Sequence, residues 1–125
     1  MNMKKNAIKT HHDLNVWQKA ISLVTLIYEH TAGFPKKEIY GLTSQIRRCA
    51  VSIPSNIAEG SARTTKKDFA YFLAIALGSI AELETQLIIS KNLNYLSETV
   101  LNELIDELTS IRKMTLGLRK SINKE

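Results

Sequence analysis

The sequence is poor in cysteine, and this scarcity excludes two kinds of stabilising site. Cys49 is alone, so an intramolecular disulfide cannot form, and neither a second thiol nor a histidine cluster accompanies it to bind a metal. Its neighbours have apolar helical spacing, which indicates a small core residue rather than a reactive thiol. The reducing cytoplasm suits such a chain.

Long apolar runs are also missing. No stretch approaches the ~18 consecutive apolar residues that a membrane span needs. The polar N-terminal sequence MNMKKNAIKTHH has no apolar core of the kind found in signal peptides. Apolar residues make up 44% and charged residues 23% of the 125-residue chain, which is close to the globular average. We therefore expect one folded, cytoplasmic domain.

The residue patterns of common catalytic and metal centres do not occur. A carboxylate-bridged di-iron bundle needs Glu-x-x-His pairs on two helices, and the sequence has none. Glu82 and Glu84 cannot share one face of a helix, so they do not form a ligand pair. His30 is the only histidine within the predicted helices, which excludes a Ser/His/Asp set. We expect no enzymatic activity, no metal and no cofactor.

Apolar residues at alternating steps of three and four predict the first two helices. Helix one is predicted from about 13 to 32, with Asp13 as its N-cap. Helix two is predicted from about 37 to 59, and Pro54 within it predicts a kink or a local break, because proline has no N–H to donate. The predicted core stripe of helix one is Leu14, Trp17, Ile21, Val24 and Tyr28, and that of helix two is Leu42, Ile46, Cys49, Ile53 and Ile57.

Two further helices follow and complete the predicted fold. Thr65 and Asp68 have the spacing of a capping box and begin helix three, and Ser97 caps helix four. The predicted core stripe of helix four is Leu101, Leu104, Leu108, Ile111, Leu118 and Ile122. Connections of four to six residues make consecutive helices antiparallel neighbours. The fold class is therefore all-α, an up-down antiparallel four-helix bundle spanning 13–125, behind a flexible N-terminal tail of residues 1–12.

Helix three has apolar residues on more than one of its faces. Besides a core stripe from Phe69 to Leu87, further apolar residues lie outside that line. A narrow bundle seam cannot bury all of them, so we expect self-association, with thicker packing inside the bundle as the alternative. The additional apolar residues are Phe72, Ile75, Leu77 and Ile88.

The predicted topology separates charge between the two ends of the bundle. The formal net charge is +5, and one end collects the starts of helices one and three with the ends of helices two and four. We predict a phosphate site at that end, where the positive end of the helix-three dipole lies. The alternative is that the lysines there serve only solubility, which gives the same pattern. Its cations are Lys4, Lys5, Lys9, Arg63, Lys66, Lys67, Arg119, Lys120 and Lys124, and its anions are Asp13, Glu59, Asp68 and Glu125.

Several ordered motifs between about 12 and 120 resemble the 23S rRNA intervening sequence proteins. They read LNVWQKA at 14–20, FPKKE at 34–38, YGLTSQIRR at 40–48, SIPSNIAEG at 52–60 and ELETQL at 82–87. The resemblance implies a bacterial four-helix bundle assembled as a homopentameric ring. A related branch, the accessory variability proteins of diversity-generating retroelements, binds nucleic acid and a reverse transcriptase.

The resemblance also implies a structural signature, for which the residue types suggest physical roles. We hypothesise that Ser52 or Asn56 hydrogen-bonds backbone groups freed near Pro54. Glu59 is expected to pair with an arginine, and Arg63 lies one turn further on. The full signature is Ser52, Pro54, Asn56, Glu59 and Gly60.

The preferred hypothesis is a non-enzymatic, oligomeric protein that binds nucleic acid, RNA in particular, through backbone contacts. Aromatic residues make up only 6% of the chain and offer few platforms for stacked bases. The alternative is a protein-interaction scaffold, for example an accessory subunit that docks a reverse transcriptase. The candidate nucleic-acid-binding residues are Arg47, Arg48, Arg63, Lys66, Lys67, Arg119 and Lys120.

Overall fold

The computed structural model describes residues 10–11 and 14–124, and all regular structure within them is helical. A short 3₁₀ turn precedes the second of four long helices. The predicted N-cap Asp13 and residues 1–9 of the predicted tail lie outside the described residues. The helices are α1 (Asn15–Thr31), α2 (Leu42–Ser61), α3 (Lys66–Asn92) and α4 (Glu98–Asn123), and the 3₁₀ turn is Lys36–Glu38.

The helices form a closed up-down bundle. Each helix packs against two neighbours, α1 and α3 against both α2 and α4. Neighbouring helices are antiparallel. The end of α4 lies beside the start of α3, where Arg119 donates to the carbonyl of Ala70. The start of α2 lies beside the end of α1, where Arg47 donates to the hydroxyl of Thr31. The predicted topology is therefore confirmed.

The core stripes of α2, α3 and α4 lie where the sequence predicts, but that of α1 does not. Ile21 and Tyr28 are 41% and 43% exposed, whereas Leu23 and Ile27 are fully buried. The predicted stripe of α1 was therefore wrong at Ile21 and Tyr28. It was correct at Leu14, which is buried, and in part at Trp17 and Val24, which pack against the core. The helix is apolar on two faces, and its buried face is rotated from the predicted stripe. The largest fully buried side chains are Leu23, Ile27, Ile46, Ile53, Ile57, Leu73, Ile80, Leu83, Leu87, Leu104, Leu108 and Ile111.

Two of the predicted N-caps are confirmed. The hydroxyl of Thr65 accepts a hydrogen bond from the backbone N–H of Asp68 at 3.1 Å, and that of Ser97 accepts from Val100 at 3.1 Å. Each bond satisfies an N–H that has no partner within its own helix.

The second helix begins later than predicted and runs on without the predicted break. The connector first forms the 3₁₀ turn, and the carboxylate of Glu38 then accepts from the backbone N–H of Leu42 at 3.2 Å. The helix continues through Pro54 to Ser61. A local break at the proline was therefore a wrong prediction.

By length and apolar composition, α3 is the one helix among the described residues that could cross a membrane. Core helices pass the same test, and the inner face of α3 packs against α2 and α4. Only 33% of the most apolar 18-residue window of α3 is buried, so the bundle accounts for part of this composition and leaves other apolar side chains of α3 exposed.

Candidate nucleic-acid interface

The first turns of α3 lie beside the last turns of α4, with a cleft of about 550 Å³ between them. This volume is within the range of about 300–1,000 Å³ that is usual for small-ligand sites. We call it the α3/α4 cleft. Its walls are formed by Lys66, Lys67, Ala70, Tyr71, Ala74, Arg119, Ile122 and Asn123.

The α3/α4 cleft is positively charged. Two lysines in the first turn of α3 face the end of α4, and none of the described acidic residues lines the cleft. The helix dipole adds positive potential, because the N–H groups of the first turn of α3 point out of the helix. A neighbouring depression of about 470 Å³ shares Arg119 and adds Lys120 and Lys124. An anion at this position would meet cations from both helices.

Arg119 is held in place by the backbone of the other helix. Its Nε donates to the carbonyl oxygen of Ala70 at 3.1 Å, which fixes the plane of the guanidinium group. The terminal nitrogens of an arginine so oriented remain donors in a fork that suits a phosphate. The sequence identified the charge of Arg119 but gave no sign of this bond.

Arg63 is near the α3/α4 cleft but is partly neutralised. Its guanidinium forms an ion pair of 2.7 Å with Glu59 and lies 4.8 Å from the centre of the Phe72 ring. The pairing of Glu59 with Arg63 is therefore confirmed. Arg63 remains exposed, so it can still attract a polyanion at longer range.

Arg47 and Arg48 lie at the opposite end of the bundle, apart from the α3/α4 cleft. Arg47 donates to the hydroxyl of Thr31 at 2.9 Å and to the carbonyl of Tyr28 at 3.3 Å, with its guanidinium 4.5 Å from the centre of the Tyr28 ring. Arg48 is exposed and donates to Ser44 at 3.3 Å. Arg47 thus ties the end of α1 to α2, a role that the sequence did not reveal.

Three of the signature residues, Ser52, Asn56 and Gly60, face α3, whereas Pro54 lines a groove between α1 and α2. Ser52 donates to the carbonyl of Cys49 at 2.6 Å, and Asn56 donates to the carbonyl of Ser52 at 2.8 Å. Both carbonyls lie near Pro54, but the carbonyl that the proline deprives of a partner belongs to Ala50, so these two bonds do not reach the freed group that the hypothesis named. The side chains of Ser52 and Asn56 also line a groove of about 340 Å³ between the two helices.

Gly60 is buried at a close contact between α2 and α3. A Cβ at this position would lie 2.8 Å from Cβ of Phe72 and 3.0 Å from Cδ1 of Phe69. Carbon atoms pack best at about 3.5–4.0 Å, so only glycine fits without a shift of the helices. This accounts for Gly60 in the signature.

The described residues offer no metal site of three or more His, Cys, Asp or Glu side chains. Cys49 is buried, and its thiol donates to the carbonyl of Ser79 at 3.1 Å. Burial, together with the nearby carboxylate of Glu82, raises the pKa of Cys49 to about 12. The thiol is therefore protonated at neutral pH and is a poor nucleophile.

Comparison with known proteins supports the fold and identifies a family. A family model described as 23S rRNA-intervening sequence protein matches residues 12–117. A crystal structure from Bacteroides thetaiotaomicron, a protein with unknown function from the S23 ribosomal protein family, is similar, with a TM-score of 0.77 and 24% sequence identity. The similarity covers 84% of this chain and 95% of that one. No curated protein matches the chain.

Proposed function

The chain belongs to the 23S rRNA-intervening sequence protein family, and from this premise we propose that it is a non-enzymatic, oligomeric, cytoplasmic protein that binds RNA through phosphate contacts. The observation that carries the proposal is the α3/α4 cleft, in which lysines of one helix face a fixed arginine of another.

The charge distribution supports contact with a nucleic-acid backbone. Among the described residues, the basic end of the bundle has six cations and two anions, a net charge of +4. Its cations are contributed by separate helices, so their spacing is set by the fold rather than by a flexible tail. Such cations bind phosphates by displacing counterions, without reading sequence. The cations are Arg63, Lys66, Lys67, Arg119, Lys120 and Lys124, and the anions are Glu59 and Asp68.

Two adjacent lysine pairs allow a matched test of this contact. Lys66→Glu with Lys67→Glu reverses the charge at the α3/α4 cleft, and Lys36→Glu with Lys37→Glu makes the same change at the other end. Each salt-dependent contact with single-stranded nucleic acid contributes about 0.7 to the slope of log affinity against log salt. We expect the cleft variant to reduce this slope by about 1.4 in a fluorescence-anisotropy titration with RNA.

The control pair should leave the slope close to that of the unmodified protein. Glutamate in the first turn of α3 is favourable to the helix dipole, so the cleft variant should remain folded, which circular dichroism checks. Equal slopes for the two double variants would refute the proposed binding site. Cleavage of labelled RNA by the purified protein, with or without a divalent metal, would refute the non-enzymatic part.

Self-association is supported by large apolar side chains of α3 that the bundle leaves exposed, since Ile75, Ile88 and Ile89 are 36%, 43% and 44% exposed. Ile88 and Ile89 are neighbours in the chain, and exposed apolar surface is typical of interfaces. A ring of copies would also repeat the α3/α4 cleft, which raises the affinity for a long polyanion by avidity. The proposed copy number of five comes from the family resemblance.

Light scattering tests self-association directly. We expect a mass several times the 14.1 kDa of the chain, and a shift toward the monomer when Ile88 and Ile89 are both replaced by lysine. A matched control places two lysines at Thr99 and Asn102, which are exposed on α4. A monomeric unmodified protein at micromolar concentration would contradict the oligomer.

A second candidate function is a protein-interaction scaffold. It is favoured by an apolar groove of about 260 Å³ between α1 and α2, in which Ile21 and Val51 are 41% and 40% exposed. If this groove docks a partner such as a reverse transcriptase, Ile21→Lys should abolish co-purification with that partner. RNA binding and oligomer mass should then be retained.

A further inference from the structure

We infer that the α3/α4 cleft accepts an unpaired nucleotide, whose base stacks on Tyr71 while its phosphate contacts Lys67 and Arg119. This inference rests on the proposed function and deepens it, because phosphate contacts alone do not distinguish paired from unpaired nucleic acid.

Tyr71 presents an aromatic surface beside the cations of the cleft. It follows Lys67 by four residues, so both side chains lie on the same face of α3. The Tyr71 side chain is 61% exposed although it lines the cleft. It meets Phe72 edge to face, with ring centres 5.3 Å apart and an angle of 81° between the rings. A perpendicular contact covers at most one face of the Tyr71 ring, so the other can receive a base.

The remaining walls suit a planar base. Ala70 and Ala74 have small side chains, so they leave room along α3 between Tyr71 and α4. Ile122 adds an apolar wall, and the amide of Asn123 provides both donors and an acceptor for the polar edge of a base. The cleft therefore combines an aromatic face, an apolar wall and a polar amide with cations, which together match the parts of a nucleotide.

The geometry selects for unpaired nucleotides. In a duplex the faces of the bases are covered by their neighbours, and an A-form helix presents backbone and minor groove to a protein. A tyrosine in a cleft cannot reach a base face without unstacking it. Single strands, loops and ends have accessible base faces, and aromatic side chains bind them with little dependence on sequence.

The test compares single-stranded and blunt-ended duplex RNA, together with single-stranded DNA of the same sequence, in anisotropy titrations. Stacking on an aromatic side chain contributes about 1–3 kcal/mol per base, so Tyr71→Ala should weaken single-strand binding about fivefold or more. Tyr71→Phe keeps the ring and should bind nearly as the unmodified protein. Tyr40 is 94% exposed in the connector at the other end, and Tyr40→Ala is the matched control.

Duplex binding should be little changed by Tyr71→Ala, because only phosphate contacts remain there. The RNA and DNA arms separate the two sources of an unpaired nucleotide, since a contact with the 2′-hydroxyl group would favour RNA. An unchanged single-strand affinity of Tyr71→Ala, or an equal loss for the single strand and the duplex, would overturn the inference. A changed oligomer mass of Tyr71→Ala would overturn it too, by assigning Tyr71 to the contact between copies.

Failure of the inference can be distinguished from failure of the proposed function, because the salt slopes of the two double-lysine variants test the proposed function separately. If those two variants have equal slopes, the α3/α4 cleft is not the binding site, and the proposed function and the inference both fail. If the slopes differ but Tyr71→Ala binds single strands as well as the unmodified protein, the cleft binds the phosphate backbone and Tyr71 does not stack on a base.

Discussion

Gly60→Ala is the sharpest test of how α2 packs against α3. The added methyl group would lie 2.8 Å from Cβ of Phe72, 3.0 Å from Cδ1 of Phe69 and 3.3 Å from the carbonyl oxygen of Phe69. The closest of these atoms is attached to the backbone, so it cannot move aside without a shift of α3. Overpacking of a core costs about 1–3 kcal/mol, which the better helix propensity of alanine offsets by about 1 kcal/mol.

We therefore expect Gly60→Ala to lower the free energy of unfolding by up to about 2 kcal/mol. Urea denaturation followed by circular dichroism measures this, with all variants at one protein concentration because the stability of an oligomer depends on concentration. Gly117 is the control, since it lies within α4 with nothing within 4 Å of an added Cβ. Gly117→Ala should raise the stability by about 0.5–1 kcal/mol. If Gly60→Ala is as stable as Gly117→Ala, the close approach of the two helices is wrong.

Three further predictions concern single side chains. Hydrogen bonds from Leu42 and Tyr95 hold the pKa of the Glu38 carboxyl below its ordinary value. The stability that the ionised Glu38 contributes is therefore present above its ordinary pKa and is lost as the pH falls through its lowered pKa in the folded protein. Glu38→Gln should make the free energy of unfolding, measured in urea, less dependent on pH in this range. Arg47→Leu should destabilise the protein by about 1–3 kcal/mol in urea through the lost bonds to α1, while a changed salt slope for RNA would contradict that structural role. Cys49 should react slowly with a thiol reagent at pH 8 and rapidly in urea, and fast reaction of the folded protein would refute its burial.

The sequence predicted the fold well where one apolar stripe dominates a helix, as in α2 and α4. It failed in α1, because Ile21 and Tyr28 on one face are as apolar as Leu23 and Ile27 on the other. Periodicity detects a helix but does not choose between two apolar faces. The choice depends on which neighbour each face meets, and that is a property of the assembled bundle.

Local hydrogen bonding also decides details that spacing does not reveal. The start of α2 was predicted too early, because Lys36 and Lys37 suit a helix as well as they suit the 3₁₀ turn. The carboxylate of Glu38 caps Leu42 and accepts from the hydroxyl of Tyr95 at 2.9 Å. The partner Tyr95 is 57 residues away, beyond the reach of any local pattern.

The candidate site was predictable in its charge and not in its shape. Topology alone brings Lys66 and Lys67 near Arg119, because consecutive antiparallel helices share an end. The position of Tyr71 in the cleft depends on the rotation of α3 about its axis. The bond from Arg119 to Ala70 depends on side-chain geometry, which residue spacing along the sequence does not specify.

The bond between Arg119 and Ala70 has a consequence for the motions of the bundle. The last turns of a helix ordinarily open and close far more often than its middle. Here the end of α4 is fastened to the backbone of α3, so opening of that end separates the two walls between which a ligand would lie. A ligand bound in the α3/α4 cleft and an open end of α4 therefore cannot occur together. A bound polyanion should slow hydrogen exchange of the backbone amides in the final turns of α4, although it contacts only side chains there.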